Sequence, residues 1–332
     1  YVSYQLAGEI ARSLVSLVSY NQHIFIAEST TIETDWLNDT LGTLAADRCG
    51  FGAAFHDDAW LYLDATHLNP LLGSGGKASL ESYGRGAQYT FGLWLWEFVN
   101  GSATDPDQVW RDILDNQESG IDSITYALDK DGGTTATFDE MVLQWQLALV
   151  TSGVNLADGS PMALEDVFAY SAPETISSPP ALRDNLYGAN GYQRGLNLNG
   201  SNWAYTGGHT EFPLVQDESE TLLENVDPYH FHSAFDFEGY IKGAYAAQVV
   251  RLDGIPYDAA AMELQFTGAG FLAAGVRWND PVETDFAIEN IFSPTSVDAV
   301  AFPDIESAGG LVTGVGEITE PDSIPVLDEN GL

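Results

Sequence analysis

The apolar residues of the chain change period once, near residue 170, and no single type of regular element accommodates both halves. Before that point Leu6, Ile10, Leu14, Leu17 and Val18 recur at spacings of three and four, the mark of one buried helix face. Trp36, Leu37, Leu41, Leu44 and Ala45 repeat the pattern, with Thr34 or Asp35 as cap and Gly50 and Gly52 as stops. A strongly aromatic helix fits residues 82–99, and shorter ones fit 105–115, 120–128 and 137–151. Asp105 caps the first of these, with Pro106 in its first turn.

Residues 171–208 turn to Pro, Gly, Asn and Ser and read as a loop-rich linker. Beyond them come short runs of period two or β-rich composition at 209–216, 230–237, 241–251, 261–267, 271–278, 285–290, 297–302 and 311–317. Gly268-Ala269-Gly270 reads as a hairpin turn between two of these runs. The expected fold class is α+β: a helical domain at 1–170, a linker at 171–208, a β-sandwich at 209–317 and an extended acidic tail at 318–332.

Charge narrows the partners. Across 332 residues, 49 Asp and Glu face 11 Lys and Arg, a net charge of -38 that repels phosphates and anionic lipid. Nucleic acid and membrane insertion are excluded as partners, and divalent cations remain. The single cysteine, Cys49, supports neither an internal disulfide nor a zinc ribbon. The chain opens directly in a helical pattern without Met, which reads as a processed or truncated product whose true N-terminus lies upstream.

Three segments then stand in a telling order: Tyr4-Gln5-Leu6-Ala7-Gly8-Glu9-Ile10-Ala11-Arg12, Tyr20-Asn21-Gln22, and Asp35-Trp36-Leu37-Asn38-Asp39-Thr40-Leu41-Gly42-Thr43-Leu44-Ala45-Ala46-Asp47. Together with the aromatic helix that begins near Tyr83-Gly84-Arg85, they resemble the hyicolysin family of gluzincin metallopeptidases over about the first 100 residues. In that family the first helix reads L-A-H-E-F-Q-H, a Y-N-Q or F-N-Q segment follows, and the second helix reads W-L-N-E-G-L-S-x-L-A-E. The resemblance implies a secreted protein with a gluzincin-type helical domain. It also implies a strand-rich lobe ahead of the first helix, which is missing from this chain.

Zinc in such a site needs two His at i and i+4, a Glu from the second helix, and a Glu general base. Carried over, the first His is Gly8, the second is Arg12, the third ligand is Asp39, and the base position keeps Glu9. Glycine has no ligand atom and a guanidinium is a permanent cation, so the expectation is a pseudoenzyme without zinc. With the metal gone, Glu9 and Asp39 would face each other, and Arg12, three residues from Glu9, is placed to act as their internal counter-ion. The competing reading has Arg12 snorkelling to solvent.

Other candidates lie outside this constellation. His230 and His232 share one strand face, with His209, Asp227 and Asp236 as third ligands, the geometry of a metal pair and of an alternative metal-dependent hydrolase. Asp129 and Asp131 open a stretch like a calcium loop but lack its bidentate Glu, leaving an adventitious calcium site against a solvated turn. Tyr187, Tyr192, Trp203 and Tyr205 offer an exposed aromatic surface for a glycan or for assembly, whereas Trp94 and Trp96 belong to the core. His23, His56 and His67 read as surface residues, and Asn100 and Asn199 as glycosylation acceptors in a secreted chain. The leading expectation is an extracellular or cell-surface protein with a structural, adhesive or self-assembly role, its partners being itself, other extracellular proteins, glycans or divalent cations. The alternatives are the His-x-His hydrolase and a carbohydrate-binding protein.

Overall fold

A computed structural model describes residues 2–64, 66–72, 81–131, 133–134, 136–152, 170, 174–176, 192–196 and 198, and then strand segments at 210–213, 245–253, 261–266, 271–278, 286–292, 298–303 and 310–316. Among the described residues seven α-helices carry the first part: α1 Val2–Asn21, α2 Asp35–Arg48, α3 His56–Leu63, α4 Glu81–Ser102, α5 Pro106–Leu114, α6 Ile121–Asp131 and α7 Phe138–Ser152. A π-turn, Gln22–Ile26, extends α1.

Local chemistry starts and stops several of these helices, although Thr34, at the N-cap position of α2, makes no side-chain cap bond. Asp105 Oδ1 accepts the Gln108 amide at 3.1 Å and caps α5. Thr137 and Glu140 form a reciprocal capping box at the start of α7, the Thr137 amide donating to Glu140 Oε2 at 2.7 Å and the Glu140 amide to Thr137 Oγ1 at 3.3 Å. Past the end of α2, Gly50 takes a φ of 92°, a conformation a side chain resists.

Helix α7 is apolar around most of its circumference and is correspondingly buried, which places it at the centre. Its Trp145 meets Phe91 of α4 edge-on at 5.3 Å and stacks on Tyr62 of α3 at 5.7 Å. Phe138 and Phe91 also contact Trp36 of α2, so one aromatic cluster ties four helices. Tyr170 is drawn into it, donating to the Thr90 carbonyl at 2.8 Å and accepting from Trp145 Nε1 at 3.1 Å.

Helix α1 departs from expectation. Its predicted core face is turned outward: Leu6, Ile10, Leu14, Leu17 and Val18 are each about half exposed or more. The opposite face, with Gly8 and Ser19 buried and Ala11 and Val15 partly so, lies on the rest of the domain. Small residues there allow close packing on α2, where a Cβ on Gly42 would come within 2.6 Å of Arg12 Cγ. Backbone approach, not the apolar stripe, decides which face is buried.

Among the described residues nine strands follow: β1 Glu174–Ile176, β2 Tyr192–Arg194, β3 Thr210–Pro213, β4 Ala246–Asp253, β5 Ala261–Phe266, β6 Phe271–Trp278, β7 Phe286–Phe292, β8 Asp298–Pro303 and β9 Gly310–Gly316. Strands β1 and β2 pair antiparallel inside the segment expected to be loops. A five-stranded sheet runs β3-β4-β9-β6-β7, antiparallel except for the parallel β3–β4 pair, while β5 and β8 form a separate antiparallel ladder. Residues 268–270, read as a hairpin turn, lie outside the described residues; the strands on either side are not paired with each other, since β5 pairs β8 and β6 pairs β7 and β9. Just ahead of β4, Tyr245 lies edge-on to Phe138 at 5.1 Å and its hydroxyl donates to Asp139 Oδ1 at 2.6 Å, fastening the sheet to α7. The predicted run at 230–237 lies outside the described residues.

Candidate functional site

Helices α1 and α2 pack side by side and bring Glu9, Arg12 and Asp39 together. Arg12 Nε donates to Glu9 Oε2 at 2.9 Å, and its terminal nitrogen bonds Asp39 Oδ1. Arg12 is thus bound internally rather than snorkelling. Arg85 of α4, which motif spacing did not single out, donates to Glu9 Oε1 at 2.8 Å and pairs with Asp58 of α3 at 3.1 Å. The result is one chain of alternating charge, Asp39–Arg12–Glu9–Arg85–Asp58, joining four helices.

Position 8 has no room for a metal ligand. A Cβ built on Gly8 would lie 2.9 Å from the Cβ of Ala54, in a short 3-10 turn at Gly52–Ala54, so any side chain there must displace that turn. Glu9 accepts from a guanidinium on each of its carboxylate oxygens, Arg12 on one and Arg85 on the other. Burial works against the charge of Arg12, but the bond to Glu9 and the fields of Asp39 and Glu9 outweigh it and hold the guanidinium above its ordinary value. Burial pushes the Asp39 carboxyl up, with Arg12 and Arg85 only partly offsetting it, so Asp39 is the member of that pair that protonates on acidification. The side chains stay partly open to water, from 13% exposed for Asp58 to 38% for Glu9. Such a network holds helices together.

Two further polar centres escaped sequence reasoning because their members are far apart in the chain. Asp47, fully buried at the end of α2, accepts from the Tyr89 hydroxyl at 2.8 Å and the Gly195 amide at 2.7 Å, and pairs with Arg48 at 2.7 Å. His56 Nε2 donates to the Gly195 carbonyl at 3.0 Å, so the segment after β2 is held from both sides. Burial lowers the pKa of His56, and the carbonyl bond and the fields of Asp47 and Asp57 only partly restore it.

The second centre lies at the π-turn. It rotates His23 inward, where Nε2 stands 3.4 Å from Glu33 Oε2. Glu33 Oε1 accepts from the amides of Thr34 at 2.7 Å and Gly120 at 2.6 Å. His23 is therefore a core residue, and His56 and His67 are half-buried; none is the surface residue expected from the sequence.

The remaining candidates divide by position. Asp129 is exposed in the last turn of α6, and Asp131 accepts the amides of Thr104 at 2.7 Å and Asp105 at 2.9 Å, stitching α6 to the start of α5. Asp131 is thus engaged by backbone and does not open a loop. Asn100 lies within α4, where its side chain donates to the Trp96 carbonyl, and not in the loop expected for glycosylation. Trp94 is fully buried, while Trp96 stacks on Trp110 at 5.6 Å beneath the Arg48 guanidinium.

Tyr192 is on β2, but its side chain, with Tyr187, Trp203, Tyr205, Asn199, His209, Asp227, His230, His232 and Asp236, lies outside the described residues. Among the described residues no group of three or more His, Cys, Asp or Glu could hold a metal ion, and no helix is long and apolar enough to cross a membrane. No protein-family model matches the chain, and no curated protein matches it in sequence.

Proposed function

We propose that the chain is a catalytically inactive, peptidase-like protein that works outside the cell in a structural, adhesive or assembly role. The observation that carries this reading is the ion-pair chain on α1 and α2: a permanent cation, Arg12, stands between the two carboxylates that a metal would otherwise neutralise. The absence of space at Gly8 and the double pairing of Glu9 support it. In the same reading the five-stranded sheet and the β5–β8 ladder supply the two leaves of a β-sandwich appended to the helical domain.

Elemental analysis of the full chain purified without chelators tests the proposal. Zinc and other transition metals near zero per chain are expected. A value near one overturns it and makes His230 and His232 the first residues to replace.

A further inference from the structure

From Ser13 onward the outward face of α1 carries no charge, in a very acidic molecule. Residues 13–27 contain no Asp, Glu, Lys or Arg, although the chain carries 49 acidic and 11 basic residues. Leu6, Ile10, Leu14, Leu17 and Val18 form one stripe along the helix, opposite the face packed on α2. At its end Tyr20 and Phe25 meet edge-on at 6.0 Å, and Ile26 adds to the same end. These eight residues are 47% to 64% exposed.

Together they present roughly 900 Å² of surface, above the ~300–600 Å² of the largest patch on an ordinary monomer and close to the ~800 Å² per partner of a standard interface.

We infer that this face is the contact between two copies of the chain, paired about a two-fold axis with their α1 helices antiparallel. A two-fold interface must match itself, and a neutral apolar stripe about 30 Å long does so without any charge to complement. The same neutrality argues against a partner recognised by charge. Lipid is disfavoured too: a helix lying on a membrane uses Lys and Arg on its polar face, and the one basic residue of α1, Arg12, is engaged by Glu9 and Asp39. Two copies, each at -38, repel overall, and at this uncharged stripe they can approach without opposing charges. The inference rests on the assembly reading above and names its partner.

Sedimentation velocity of the full chain from about 0.1 to 100 μM, with small unilamellar vesicles of neutral and anionic lipid as a second probe, tests it. The expected result is a dimer that tightens as salt rises, because salt screens the net repulsion while leaving apolar contact intact. Leu14→Glu/Leu17→Glu, both at exposed positions, should retain the helical circular dichroism and melting temperature of the parent and weaken the dimer at least 100-fold. Tyr126→Ser, an exposed aromatic on α6, should leave the dimer unchanged. A parent chain that stays monomeric at 100 μM, a dimer that survives the double substitution, or vesicle binding by monomers each overturns the inference. Metal content separates the two claims: a metal-free monomer removes the dimer alone, and a dimer with one zinc per chain removes the inactive-scaffold reading alone.

Discussion

Arg12 answers two carboxylates from two helices at once, which a point charge on a flexible stem cannot reproduce. Arg12→Ala leaves Asp39 without its partner on α1 and Glu9 with Arg85 alone. Because the side chains are 25% to 38% exposed, the cost lies between that of a surface pair and a buried one, about 1–3 kcal/mol. Thermal melts should place Arg12→Ala several degrees below the parent and Arg12→Lys between them; an unchanged midpoint in Arg12→Ala would remove the counter-ion role. This cluster was legible because Glu9, Arg12 and Asp39 fall inside a resemblance that aligned them. Arg85 and Asp58 were not, since nothing in their local spacing points to Glu9.

At the scale of elements, caps and periods predicted where most helices and strands lie, and tertiary contact decided how they face. The α1 stripe was read correctly as one side of a helix, but small residues on the other side brought α1 onto α2 and left the leucines outside. The π-turn likewise turned His23 inward by inserting an extra residue, which no alternation of apolar and polar residues announces. Strand positions from 261 onward lie within two residues of expectation, whereas pairing order depends on contacts between distant segments. The cap at Asp105 is the cleanest local device. Asp105→Ala should cost about 1 kcal/mol, visible as a midpoint lowered by a few degrees in differential scanning calorimetry, with the Asp131 bond to the backbone amide retained.

Over the whole molecule, long-range polar contacts hold the pieces in place. His56 and Asp47 grip residue 195, some 140 residues further along the chain. Burial lowers the His56 pKa, so below the ordinary value of about 6.5 the unfolded chain binds a proton that the folded chain resists. Stability from this residue is present in full above about pH 6.5 and declines as pH falls through the lowered value. His67, lowered by its own burial, adds with the same sign. Urea titrations between pH 7.5 and 5 should show stability falling toward acid, with a shallower slope in His56→Gln; an identical slope would show that His56 does not sense pH.

The turn lodged against Gly8 also constrains the order in which this surface can change. A larger residue at position 8 must first have Ala54 give way, and removing Arg12 before new neutralisation is in place leaves Asp39 without its paired cation and Glu9 with Arg85 alone. Each single step away from the present arrangement is therefore uphill, and only coordinated replacements on α1, α2 and the Gly52–Ala54 turn lead elsewhere. The packing acts as a ratchet: it makes the present ion pairing far easier to keep than to replace.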